Sequence, residues 1–274
     1  MTDNPIQLDT DKTKLENLRS SINVNDPWKI IIHGYTKSRF LIPNPELHSA
    51  YFKKGSYNLI SVDYAPLAKE KCYVSAVANV PLIATCAADM IKALVSAGLF
   101  TLKDLHVIGF SLGAQIAGQI KDSLDGRPGR VTGLDPASPL FDGVINSQIS
   151  KESGDFVDIV HTNAHFKGEI NTLGHIDFYV NGGSIQPNCV TTTCSHDRAP
   201  QCFAESINSE KGFWGIPCNN YLSFKMGLCN TDESKLVLMG DGVDQTKTGV
   251  YYLQTNSVSP YALGKVSQVT LFVR

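Results

Sequence analysis

The chain has 274 residues, 42% of them hydrophobic, and a formal net charge of −2 at neutral pH. That length can bury a sizeable core. The near-neutral charge gives no argument for nucleic-acid binding or for a general attraction to anionic membranes. No uninterrupted apolar run reaches the roughly 18 residues that a membrane-crossing helix needs. Of the seven cysteines, Cys189, Cys194, Cys202, Cys218 and Cys229 lie close together. The cluster reads as local disulfides and an oxidising, extracellular compartment, and the odd total leaves at least one thiol unpaired. No C-x-x-C pair or zinc-ligand spacing occurs, so a metal is not expected. Met1-Thr2-Asp3-Asn4-Pro5 carries no hydrophobic signal region. The expectation is therefore a secreted chain that lacks its leader here, or one that starts artificially at Met1.

In chain order, a short helical patch is expected around Thr13 to Ser20. Trp28-Lys29-Ile30-Ile31-Ile32 reads as a strand of β-branched residues running into His33-Gly34-Tyr35. A polar loop holding Lys37, Arg39, Pro43 and Pro45 is expected next, then a strand from Asn58 to Tyr64. Residues 73–97 read as one long helix, with Pro81 in its first turns or kinking it and Gly98 as its C-terminal stop. Leu105-His106-Val107-Ile108, Arg130 to Leu134, Phe156 to His161 and Ile176 to Val180 are further strands. After the cysteine cluster, strand-like runs fall at Lys235 to Met239, Gly249 to Leu253 and Val266 to Val273. Strands alternating with helices as far as about residue 165 predict an α/β architecture, with a mostly parallel central sheet and helices on both faces. No internal repeat, low-complexity tract or linker breaks the sequence, so residues 1–274 are expected to form one domain.

Gly109-Phe110-Ser111-Leu112-Gly113 is the most informative stretch. It follows a strand and precedes the helical run Ala114 to Ile120, which is the context of a nucleophile elbow. The turn forces its serine into a strained backbone conformation, and side chains two residues to either side would collide with the neighbouring strand and helix. Glycine occupies both places. Ser111 is thus the candidate nucleophile, and the Leu112 N–H is one candidate oxyanion donor. The second donor is expected on the loop after an early strand, at Tyr35 of His33-Gly34-Tyr35.

A serine hydroxyl needs a base within reach and a carboxylate to orient that base. In this fold class the order is serine, acid, histidine. Asp135, in Gly133-Leu134-Asp135-Pro136, ends a strand and so lies on the sheet edge where the elbow opens. Asp155, Asp158 and Asp177 compete, although Asp158 is mid-strand and Asp177 lies in an alternating run. His196, read as a loop residue beside a disulfide in Cys194-Ser195-His196-Asp197-Arg198-Ala199, and His161 both remain open as the base.

His33-Gly34-Tyr35, Val62-Asp63-Tyr64, His106 to Ala114, Gly133 to Pro136, Val160-His161-Thr162 and Cys194 to Ala199 occur in an order and spacing that resembles the animal pancreatic-lipase superfamily. The tail Gly249 to Asn256 resembles its insect lipase and phospholipase A1 branch. The resemblance covers nearly the whole chain. It implies an α/β-hydrolase fold with Ser111, Asp135 and His196 as the triad and Tyr35 and Leu112 as oxyanion donors. It also implies a lid disulfide Cys189–Cys194 and a second bridge Cys218–Cys229, leaving Cys72, Cys86 and Cys202 unassigned. Several features depart from the family. Phe110 stands where histidine is usual, and is expected to stay clear of the chemistry. Residues 1–274 are expected to lack the family's first strand and its C-terminal β-sandwich. Gln148 and Ser153 stand where calcium-binding arginine and aspartate would be, so no calcium and no cofactor is expected.

Between Cys189 and Cys194 lie only Val190-Thr191-Thr192-Thr193, too few to form an amphipathic lid. The loop from Asn163 to about Gly174 is also short and reads as polar. Within the family, short lids and loops go with phospholipase A1 activity and long ones with triacylglycerol hydrolysis. The expectation is sn-1 ester hydrolysis of a phospholipid at a membrane or micelle surface. Triacylglycerol or general lipid ester hydrolysis is the alternative, and a silent lipid-binding or storage role is third.

Overall fold

A computed structural model of the chain describes residues 5–68, 72–141, 148–230 and 232–265. The expected strand from Val266 to Val273 lies outside the described residues. The described residues form seven α-helices, α1 (Lys12–Ser21), α2 (Asn44–Lys54), α3 (Tyr73–Ala78), α4 (Val80–Ser96), α5 (Leu112–Gln119), α6 (Thr192–Ser206) and α7 (Tyr221–Lys225), and nine strands. The strands are β1 (Trp28–Ile32), β2 (Asn58–Val62), β3 (Leu105–Phe110), β4 (Arg130–Leu134), β5 (Phe156–His161), β6 (Ile176–Val180), β7 (Phe213–Pro217), β8 (Val237–Met239) and β9 (Gly249–Leu253). They form one sheet in the order β2-β1-β3-β4-β5-β6-β9-β7-β8. From β2 to β9 all neighbours are parallel, and β7 runs antiparallel to both β9 and β8.

The central strands read as nearly unbroken β-branched runs because both of their faces are covered. Side chains alternate between two cores. Ile30, Ile32, Val107, Val131, Val157 and Ile159 face one side with α1, α4 and α5. Ile31, Ile108, Phe110, Leu134, Val160 and Phe178 face the other with α2 and α6. Helices on both faces of a mostly parallel sheet agree with the sequence expectation.

The long helix expected over 73–97 is two helices, α3 and α4, which meet at Asn79, and Pro81 lies at the start of α4. The missing proline N–H is harmless there, because the first turn of a helix has no partner for it. The stretch Tyr73–Ser96 is long and apolar enough to cross a membrane by composition. Its break and the burial of Val80, Ile83, Ala84, Ala87, Ala88, Ile91 and Leu94 make it a core element instead. Gly98, at φ +70°, closes α4. Its N–H meets the Val95 carbonyl and the Leu99 N–H meets the Leu94 carbonyl, the two bonds of a Schellman motif.

Two expected loops are helical. Residues around Pro43 and Pro45 form the start of α2, with Pro45 in its first turn, Glu46 beside it, Lys53 and Lys54 in the last turn and Gly55 after it. Residues 192–206 form α6. Strand β7 was not expected at all, and β8 is shorter than the run from Lys235 to Met239.

Candidate active site

The order β2-β1-β3 places a topological switch between β1 and β3, where ligands bind in open α/β sheets. Ser111 follows the last residue of β3 and caps α5, with φ +56° and ψ −121°. For a residue with a side chain this conformation is strained. The turn is tight enough that a Cβ on Gly109 would strike the backbone of Gly113 and Ala114, and one on Gly113 would strike the carbonyls of Ile32 and His33. A Cβ on Gly34 would sit 3.0 Å from Cβ of Ser111. The loop after β1 therefore passes directly beside the serine.

That loop is held from behind. The Tyr64 N–H donates to His33 Nε2 at 3.1 Å, which leaves the ring proton on Nδ1, and Nδ1 donates to the Gly34 carbonyl at 2.8 Å. The Tyr64 ring stacks on the imidazole at 4.1 Å, and its hydroxyl donates to the His33 carbonyl. Burial pushes the His33 pKa below the ordinary histidine value, which keeps it neutral. Tyr35 follows on this loop, its ring edge-on to Tyr73. Leu112 opens α5, where the first N–H groups have no intrahelical acceptor.

The two open alternatives separate by geometry. Asp135, fully buried at the end of β4, accepts the Nδ1 proton of His196 through Oδ2 at 2.5 Å. Its Oδ1 accepts the N–H groups of Thr162 and Asn163 at 2.8 and 2.9 Å. Gly168 lies so close to this carboxylate that a Cβ would overlap it. His161 is committed elsewhere, to Asp177 at 2.9 Å and the Glu169 carbonyl at 2.8 Å. Asp158 holds Arg130 through both oxygens at 2.9 Å. Asp135 and His196 are thus brought together, while His161, Asp158 and Asp177 each serve another contact. Exposure rises from 0% at Asp135 through 5% at His196 to 9% at Ser111, so the serine is the end that faces the outside.

His196 is not a loop residue. It lies early in α6, whose N-cap Thr191 accepts the Cys194 N–H at 3.1 Å. Cys194 is bonded to Cys189, which ties this first turn to the preceding chain. Cys218 and Cys229 form the second bridge, while Cys72 and Cys86 are free and exposed and Cys202 is free and buried. Phe110 does not stay clear of the chemistry. Its ring packs against the His196 imidazole, centroids 4.6 Å apart and planes at 40°. The residue before an elbow serine ends a strand whose side chains alternate, so its face could have been read from the sequence.

Among the described residues no group of three His, Cys, Asp or Glu side chains could hold a metal ion. Ser153 donates to the Gly118 carbonyl and accepts the Ser150 N–H, a capping role. Two open clefts, one between α2 and α6 and one beside the Cys218–Cys229 bridge, include no residue of this site. The rim loops are less polar than expected. Phe40, Leu41, Phe166, Ile170, Ile185 and Val190 are all exposed.

A mostly parallel sheet with a strained elbow serine at its switch point defines an α/β hydrolase. The sequence matches the Lipase family over residues 2–261. Lipase member H-A of Xenopus laevis is 34% identical over 227 residues, covering 79% of this chain and 49% of that one. Pancreatic lipase-related protein 2 of Cavia porcellus is 33% identical over 248 residues, covering 87% and 56%, and pancreatic lipase-related protein 3 of Homo sapiens is 32% identical over 263, covering 79% and 56%. The chain belongs to the Lipase family, within the animal pancreatic-lipase superfamily. It spans about half the length of these curated relatives.

Proposed function

We propose that this chain is a serine carboxylic-ester hydrolase acting on lipids, and specifically that it cleaves the sn-1 ester of phospholipids. The hydrolase reading is carried by the strained Ser111, whose N–H donates to the carbonyl of Leu134 next to Asp135 and whose neighbour Phe110 packs on His196, together with the hydrogen-bonded Asp135–His196 pair. In this reading Ser111 Oγ attacks the acyl carbonyl and His196 Nε2 takes its proton. Asp135 holds the Nδ1 proton and stabilises the imidazolium that forms. The Leu112 and Tyr35 N–H groups receive the charge that develops on the carbonyl oxygen. His196 gives the proton to the departing glycerol oxygen as its bond to the acyl carbon breaks, and water then releases the fatty acid from Ser111 by the same path.

The phospholipase assignment rests on the lid. Of the four residues between Cys189 and Cys194, Thr192 and Thr193 belong to α6 and Thr191 caps it. No segment remains between the bridged cysteines to fold over the mouth, so a polar headgroup has room and little apolar cover must open. The two disulfides support an oxidising, extracellular setting. The test is product analysis on phosphatidylcholine with different sn-1 and sn-2 chains, beside a triacylglycerol emulsion, using wild type and Ser111→Ala. Release of the sn-1 chain, lost in the variant, is expected. Preferential attack on the emulsion would reverse the substrate assignment and leave the triad standing.

A further inference from the structure

Two lysines from different loops reach the start of α6 on either side of His196, Lys37 at Asp197 and Lys167 at Thr193, one helical turn apart. Lys37 lies two residues after Tyr35 and is folded back by its own N–H, which donates to the Gly34 carbonyl at 3.2 Å. Its ammonium is 3.7 Å from Asp197 Oδ2. Lys167 immediately precedes Gly168, the residue pressed against the Asp135 carboxylate. Its backbone is pinned at both ends, the N–H by Asn163 Oδ1 at 3.3 Å and the carbonyl by the Ser138 N–H at 3.0 Å. Its ammonium donates to Thr193 Oγ1 at 2.6 Å, on the turn of α6 that leads to His196. Both side chains are therefore anchored at the mouth of the site.

These contacts do not use up the two cations. The Lys37–Asp197 separation is too long for a hydrogen bond. The other oxygen of Asp197, Oδ1, is buried without a partner. Thr193 and Asp197 share one face of α6, so two ammonium groups gather beside a single carboxylate and leave a net positive charge. Burial lowers the Lys167 pKa, and the nearby Lys37 charge lowers it further against the pull of Asp197 and Asp135. Two partly desolvated cations held this close favour an anion that can reach both.

We propose that Lys37 and Lys167 form the headgroup site, binding the phosphate of the same lipid molecule whose sn-1 ester lies at Ser111. This rests on the phospholipase reading above. The phosphodiester of such a lipid offers two charged, non-bridging oxygens, so one group can accept from both ammonium groups. Lys37 is on the chain that carries the candidate oxyanion donor Tyr35, and Lys167 is on the chain that cradles Asp135. A phosphate held between them would orient the glycerol across the serine, and an uncharged diacylglycerol would gain nothing from the pair.

The test uses short-chain lipids below their aggregation concentration, so that attraction to a charged surface plays no part. The quantity read is the ratio of kcat/KM for dihexanoyl phosphatidylglycerol to that for dihexanoylglycerol. Replacing Lys37→Met or Lys167→Met should lower this ratio about tenfold each, the scale of one charge-assisted hydrogen bond. Lys37→Arg and Lys167→Arg keep the charge and should restore most of it. An unchanged ratio in both Met variants would overturn the headgroup site while phospholipid cleavage itself persists. A loss confined to anionic vesicles and absent with monomers would also overturn it, assigning the lysines to surface attraction. If wild type cleaves dihexanoylglycerol and no phospholipid, the phospholipase reading falls and the headgroup site falls with it.

Discussion

Pro200 stands four residues after His196 in α6, so the carbonyl of His196 has no helical N–H to meet. The hydroxyl of Thr162 faces that carbonyl at 3.4 Å, while the Thr162 N–H donates to Asp135. One residue at the end of β5 thus touches both members of the Asp135–His196 pair.

Thr162→Val keeps the backbone contact and the side-chain shape but removes the hydroxyl. The expected result is a drop of about fivefold in kcat with KM unchanged, the equivalent of about 1 kcal/mol for a neutral hydrogen bond. Thr162→Ser should recover it. Steady-state kinetics on a soluble ester decide the matter, and equal rates for Val and Thr would remove Thr162 from the account.

Asp135→Asn leaves the packing intact but offers His196 Nδ1 an amide where a carboxylate stood. The imidazole is then free to adopt the wrong tautomer, and kcat should fall by about 10⁴. Folding, followed by circular dichroism, should be retained because the Thr162 and Asn163 N–H groups still have an oxygen to meet. A loss of less than tenfold in the folded variant would point to another carboxylate.

Stability should depend on pH through buried histidines of opposite sign. His106 accepts from Lys29 at Nδ1 and meets Thr132 at Nε2. Burial, with Lys29 and Arg130 beside it, holds its pKa well below the ordinary value. The unfolded chain therefore binds a proton here that the folded chain refuses, and stability is lost as pH falls through about 6.5 towards the folded value. His33 acts in the same direction. His161 acts in the other. Burial disfavours its charge, but the hydrogen bond and charge of Asp177 outweigh burial and raise its pKa. Its contribution is complete below about 6.5 and lost as pH rises through the folded value. Urea midpoints across this range should show an acid-side decline that flattens in His106→Gln. The same slope in wild type and variant would contradict a neutral buried His106.

Thiol reactivity should follow burial. Cys72 and Cys86 are exposed and should label with Ellman's reagent in the native protein, Cys72 faster because the Ser75 hydroxyl bond lowers its pKa. Cys202 is buried, which pushes its thiol well up, and it should label only after unfolding. Label on Cys189, Cys194, Cys218 or Cys229 without reductant would break the bridge assignment.

Much of this arrangement was legible in the sequence. The parallel strands were readable because buried β-branched runs have few other uses, and the elbow because two glycines at that spacing have a steric cause. The choice between His161 and His196 was not readable locally. His161 ends β5 and His196 lies early in α6, and only the three-dimensional meeting with Asp177 or Asp135 separates them. Helix α6 was hidden by its opening Thr191-Thr192-Thr193-Cys194-Ser195-His196, residues of modest helix propensity, and by Pro200. Its N-cap threonine was a usable signal. Helix α2 was hidden by Pro43 and Pro45, although Pro45, Glu46, Lys53, Lys54 and Gly55 are start and stop signals in the right order. The approach of Lys37 to Asp197 and of Lys167 to Thr193 joins distant loops and has no sequence signature.

The most direct test of the central claim is covalent labelling by diisopropyl fluorophosphate followed by peptide mapping. Wild type should carry one diisopropyl-phosphoryl group on Ser111, with labelling greatly slowed in Asp135→Asn and absent in Ser111→Ala. A folded wild-type protein that fails to label, or that carries the group on another serine, would contradict the assignment of Ser111 as the nucleophile.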